Sequence, residues 1–158
     1  MGEVSGNWTD GGTRPQTPGT ESYGPVRNST IVLPAITASA GKEVTVPVEV
    51  AGVANKGVIS YEFDLMYDPS VIQPSAQPVD VKETASRGLF VATNTSEPGR
   101  LRVVVYGAMP IAEDGVLLNL RFVPVGKPGS VSPLTFERIM FNEGEPRATI
   151  LNGRIELF

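Results

Sequence analysis

Ser60, Glu62 and Asp64 stand two residues apart in the stretch GVISYEFDLMYDPSVIQP, residues 57–74. Side chains at that spacing share one face of a β-strand, because successive residues of an extended chain point to opposite sides. The opposite face would hold Ile59, Tyr61, Phe63, Leu65 and Tyr67, an evident core stripe. A hydroxyl and two carboxylates in a row accept hydrogen bonds from Lys, Arg and hydroxyl donors of another molecule. Two acids can also hydrolyse a glycosidic bond when they stand about 5–9 Å apart across a cleft. A flat sheet face offers no such cleft. The same row would also guard an exposed sheet against sheet-to-sheet aggregation.

Two absences narrow the chemistry further. The 158 residues include no cysteine and no histidine. Disulfides, thiolate metal sites and cysteine nucleophiles are therefore excluded, as are His-ligated zinc and any Ser-His-Asp triad. Catalysis would rest on carboxylates, Lys or Tyr alone, and no catalytic residue is assigned. The net charge of −4 argues against a nucleic acid partner, which requires a basic face. No run approaches the roughly 18 apolar residues that cross a bilayer, so membrane insertion is not expected. The start of the chain lacks the basic and apolar regions of a signal peptide. The acidic turns AEDG and NEGEP, beginning at Ala112 and Asn142, lack the dense spacing of a calcium loop and read as solvated turns. No metal ligand is assigned. Sequons occur at Asn7, Asn28 and Asn94 and matter only in a glycosylating secretory route.

The elements that must position the polar row follow from periodicity. Residues 1–29 are rich in Gly, Pro, Ser and Thr without any apolar period, and are expected to form a flexible linker or tail. Trp8 and Tyr23 are its isolated aromatics. From residue 30 to residue 158 the text is that of strands. STIVLPAITAS and KEVTVPVEVAG alternate and are divided by a turn at Ala40 and Gly41. After the strand ending at Tyr67, Pro74 and Pro78 break the chain. A short edge strand is expected at VDVKET. RGLFVATNT leads through the turn EPGR into LRVVVYGAM. DGVLLNLRFVPVG, SPLTFERIMF and ATILNGRIELF complete about nine strands. The chain is thus expected to be all-β, an antiparallel sandwich or jelly roll.

LRVVVY is apolar on both faces, and one of them must look away from the core. If Val104 and Tyr106 point inward, Leu101, Val103 and Val105 form an exposed apolar stripe beside the polar row. An apolar patch with a polar rim has the composition of a protein interface. Ser60, Glu62, Asp64, Leu101, Val103 and Val105 are accordingly the candidate partner-binding residues.

The order of GKEVTVPVEV, the F-x-L-x-Y-D-P strand in residues 63–69, PGRLRVVVY, DGVLLNLRF, SPLTFE and the closing NGRIEL resembles a cohesin domain. Cohesins are the modules that bind dockerins in cellulosomes and related bacterial and archaeal assemblies. The resemblance covers residues 30–158. It implies a nine-stranded jelly-roll sandwich without catalytic activity, secreted or displayed at the cell surface. It further implies a dockerin bound to one sheet face made by the third, fifth, sixth and eighth strands. No cofactor is implied for the chain itself, calcium belonging to the dockerin, and a monomer is expected. Where well-described cohesins often carry an Asn and an Asp on the third strand, this sequence has Ser60 and Glu62. Two rival readings share the sandwich: a carbohydrate-binding module and a structural or adhesive surface domain. The former needs coplanar exposed aromatics. Tyr61, Phe63, Tyr67, Phe122, Phe136 and Phe141 instead follow core-facing phases.

Overall fold

The computed structural model describes residues 28–158. Trp8, Tyr23 and the sequon at Asn7 lie outside the described residues. Asn28 and Ser29, placed by composition in the tail, already belong to the first strand.

Eleven strand segments follow one another: β1 (Asn28–Val32), β2 (Ala35–Ala38), β3 (Val44–Ala51), β4 (Ser60–Met66), β5 (Ile72–Asp80), β6 (Phe90–Asn94), β7 (Arg100–Tyr106), β8 (Gly115–Pro124), β9 (Val131–Phe141), β10 (Arg147–Leu151) and β11 (Gly153–Leu157). No helix occurs among the described residues. One sheet has the order β2-β11-β9-β4-β7-β6, and the other β10-β1-β3-β8-β5. Their inner faces close over Ile31, Val46, Val48, Phe63, Leu65, Leu120, Phe122 and Leu134, all buried. Each such side chain contributes about 1.5–3 kcal/mol relative to an exposed one. Within the core the Phe63 and Phe136 rings meet edge to face at 5.0 Å, and Tyr61 lies 6.5 Å from Phe63 in a stacked pair.

The all-β sandwich agrees with the sequence, and two details correct it. Nine strands become eleven segments because the first and last each cross from one sheet to the other. Pro34, which has no N–H to donate, parts β1 from β2, and Asn152 parts β10 from β11. Counting each divided strand once restores nine. The pairing is also not wholly antiparallel: β10 runs parallel to β1, and β11 parallel to β2. The two crossings touch, since a Cβ at Gly153 would stand 2.2 Å from the Pro34 carbonyl oxygen. Only a residue without a side chain fits there.

The edge strand expected at VDVKET lies earlier. β5 includes Pro74 and Pro78 and ends at Asp80. It borders its sheet, and its register on β8 shifts between Pro74 and Val79, so the missing donors cost no central ladder. The EPGR turn is as expected: the Arg100 N–H donates to the Glu97 carbonyl, and Gly99 takes φ 83° after Pro98.

Candidate functional site

The third, fifth, sixth and eighth strands of the nine are β4, β6, β7 and β9, and they lie side by side in the order β9-β4-β7-β6. Register defines rows across the outer face. One row joins Phe90, Tyr106 and Ser60; the next Ala92, Val104, Glu62 and Met140; the third Asn94, Arg102, Asp64 and Arg138; the last Arg100, Met66 and Thr135. The first two rows are mostly apolar, and the last two carry charge.

At the apolar end, Phe90 is 65% exposed and Tyr106 49%, with ring centroids 5.7 Å apart and tilted by 31°. Met109 lies bare in the loop after β7. At the charged end Asp64 is clasped by two arginines. Arg102 Nε donates to Oδ1 at 2.8 Å and Nη2 to Oδ2 at 3.0 Å, while Arg100 Nη1 donates to Oδ2 at 2.9 Å. The bond from Arg102 above all, opposed by burial and reinforced by Arg100, holds the Asp64 carboxyl below the usual carboxylate range. Arg100 also pairs with Glu137 and, at 3.3 Å, with Glu97. Arg138 pairs with Glu62. A bulge at Glu137 in β9 sets Arg138 opposite Asp64 and leaves Glu137 beside Arg100.

Three expected site residues are not presented at all. Leu101, Val103 and Val105 have no exposed surface. They stand opposite Leu65, Phe63 and Tyr61, so the core side of β4 fixes the core side of β7. The outward residues of β7 are those of the other parity: Arg102 and Tyr106 are exposed, and Arg100 and Val104 half-buried. Arg102 was the available signal, since an arginine sharing parity with Val104 and Tyr106 would have to be buried if they were. Asp64 is on the expected face, but its side chain is only 5% exposed beneath the two guanidiniums. It organises the face and is not offered to a partner's Lys or Arg. Ser60 and Glu62 are half-buried on the same face. Phe90, Ala92, Val104, Tyr106 and Met140 were missed, and Tyr106 reverses the expected phase.

The two acidic turns have structural duties. Asp114 Oδ1 accepts from the Val53 and Ala54 amides at 2.9 and 3.0 Å, and Glu113 pairs with Arg87. Burial opposes the Asp114 charge, yet the amides of Val53, Gly52 and Ala54 lower its pKa overall. Asn142 Oδ1 accepts from the Ile59 amide at 3.0 Å and ties β9 to the start of β4. Among the described residues no group of three or more acidic side chains is gathered as a metal site would require. Asp68, just before Pro69, caps its own turn by accepting from the Ser70 amide at 2.9 Å.

A two-sheet sandwich whose distinctive feature is a broad, mixed apolar and charged sheet face belongs to the class of β-sandwich interaction modules. The chain belongs to the cohesin domain family, whose model matches residues 29–146. Solved cohesins share the fold. The sixth cohesin of scaffoldin B from Acetivibrio cellulolyticus, solved in complex with a mutant Cel5 dockerin, is 20% identical at a TM-score of 0.69. The match covers 83% of this chain and 99% of that one. The seventh ScaB type I cohesin from Pseudobacteroides cellulosolvens is 22% identical at 0.68, covering 82% and 92%. A non-cellulosomal cohesin from the hyperthermophilic archaeon Archaeoglobus fulgidus is 21% identical at 0.67, covering 83% and 91%. No curated protein matches the chain in sequence.

Proposed function

We propose that the chain is a non-catalytic docking module that binds a dockerin-type protein through the outer face of β9-β4-β7-β6. The observation that carries this reading is the face itself: exposed Phe90 and Tyr106, with Ala92, Val104 and Met140 beside them, border an ordered set of ion pairs. An apolar centre beside polar groups excludes water where affinity is made and fixes orientation at the rim. Cohesins of the same fold have been solved with dockerins. The module carries no cofactor, and calcium belongs to the partner. It acts as a monomer, secreted or at the cell surface, without contacting nucleic acid. Among the described residues no helix is long and apolar enough to cross a membrane. Residues 1–27 serve as a linker or tail ahead of the domain.

Calorimetric titration against a panel of dockerins, with and without calcium, tests the proposal. Calcium-dependent binding to one member is expected. Val104→Lys, which places a charge at the middle of the face, should weaken that binding at least about tenfold while stability shifts by less than about 1 kcal/mol. Silence across a diverse panel, or an unaffected Val104→Lys variant, would sink the assignment of this face. Retention on cellulose or chitin would favour a carbohydrate-binding module instead. The tilt between Phe90 and Tyr106, which face one another, argues against a flat sugar platform.

A further inference from the structure

We infer that this face reads its partner through an apolar anchor seated at Phe90 and Tyr106, and not through ion pairs. The inference rests on the docking reading above and specifies the partner's chemistry. The occupant is an amphipathic helix with a bulky apolar side chain at one end and a polar end of little net charge at the other.

Charge is the first argument. The face and its rim carry four carboxylates, Glu62, Asp64, Glu97 and Glu137, and three guanidiniums, Arg100, Arg102 and Arg138. Every one is already in a salt bridge with another member of the set. A partner charge would have to compete with these pairs and lose its own hydration, for little net gain. The set is also nearly balanced in sign, so it exerts only a weak field on an approaching molecule. A strongly charged partner helix would find no complementary surface here.

The apolar end offers the opposite conditions. Its two rings are exposed, with centroids 5.7 Å apart and planes tilted by 31°. Behind Phe90 opens a cavity of about 260 Å³ lined by Ala85, Leu89, Phe90, Met109, Pro110 and Ile111. Arg87 stands at its rim but is held by Glu113 through bonds of 3.0 and 3.2 Å. The cavity adjoins the first row of the docking face, so one bulky side chain set over the rings can also reach into it. Large apolar or aromatic anchors in such pockets dominate protein interfaces. From Arg100 to Tyr106, β7 presents about 20 Å of face, which matches about 13 residues of helix. A single helix laid along the strand therefore meets both ends.

The test uses the dockerin found by titration. Three proteins are compared in low and high salt: the wild-type chain, Phe90→Ala/Tyr106→Ala and Glu97→Gln/Glu137→Gln. All four altered side chains are exposed, and thermal melts confirm that each variant folds. The aromatic pair should weaken binding about 100-fold or more. The neutralised pair should remain within about threefold of wild type, and so should wild type between about 50 and about 500 mM NaCl. A salt effect of about tenfold or more, or an aromatic variant within about threefold of wild type, would overturn the inference. Docking at this face would then still stand if Val104→Lys abolishes binding. A wild-type chain that binds no dockerin would remove the docking reading, and the inference with it.

Discussion

Asp64 shows how a single residue can be on the expected face and yet have another task. Its carboxylate is surrounded by guanidinium donors and nearly closed off from water. With its pKa lowered in the folded state, the ionised form favours folding above the unfolded value of about 3.9. That contribution is lost as pH falls through the folded value. Asp64→Asn should therefore lower Tm at pH 7, and the gap from wild type should narrow as pH falls below the unfolded value and through the lowered folded one. A gap that persists undiminished in acid would show that packing, and not charge, accounts for the loss. Tyr61 makes a second buried bond, its hydroxyl 2.6 Å from Ser86 Oγ, and burial raises its pKa well above that of a free tyrosine. Tyr61→Phe leaves the serine hydroxyl without that partner and should cost about 1–3 kcal/mol in urea melts. Adding Ser86→Ala removes the stranded group, so the double variant should recover part of the loss. Simple additivity of the two substitutions would exclude the coupling.

At the scale of the element, legibility depended on how unequal the two sides of a strand were. In β4 the aromatic and aliphatic residues Tyr61, Phe63 and Leu65 alternate with Ser60, Glu62 and Asp64, so its core face could be read directly. β7 is apolar on both sides over Val103, Val104 and Val105, and alternation alone does not choose between them. Its neighbour does, because each inward residue of β7 stands opposite an inward residue of β4. β6 is short, and its outward Phe90 looks like a core residue in isolation. Its exposure follows from pairing with Tyr106, a long-range fact that no local pattern contains. The prolines of β5 did signal an edge, but the bulge that absorbs them extends the strand backward to Ile72. The duty of Asp114 was hidden for a similar reason. A turn signature explains its position, whereas the amides it holds come from a loop about 60 residues earlier.

At the scale of the whole molecule, the succession of short alternating strands was enough for a sandwich, and the order of its motifs was enough for the family. The way the chain begins and ends was not legible, because two strands that each divide between sheets look continuous in sequence. That division places β1–β2 alongside β10–β11 and pointing the same way. This arrangement decides how the domain bears tension applied at the two ends of the described residues. A load drawing residue 28 away from residue 158 slides the two parallel strands lengthwise past each other, so their cross-strand hydrogen bonds strain together. Attached instead at Lys127 and the C-terminus, the same load would peel β9 from β11 one bond at a time, since Val131 pairs with Glu156 near that end. Single-molecule pulling should find a distinctly higher rupture force in the first geometry. Equal forces would mean that the terminal strands are not what resists. If they are, the crossing at Pro34 and Gly153 is the buckle of a domain built to carry strain along its length.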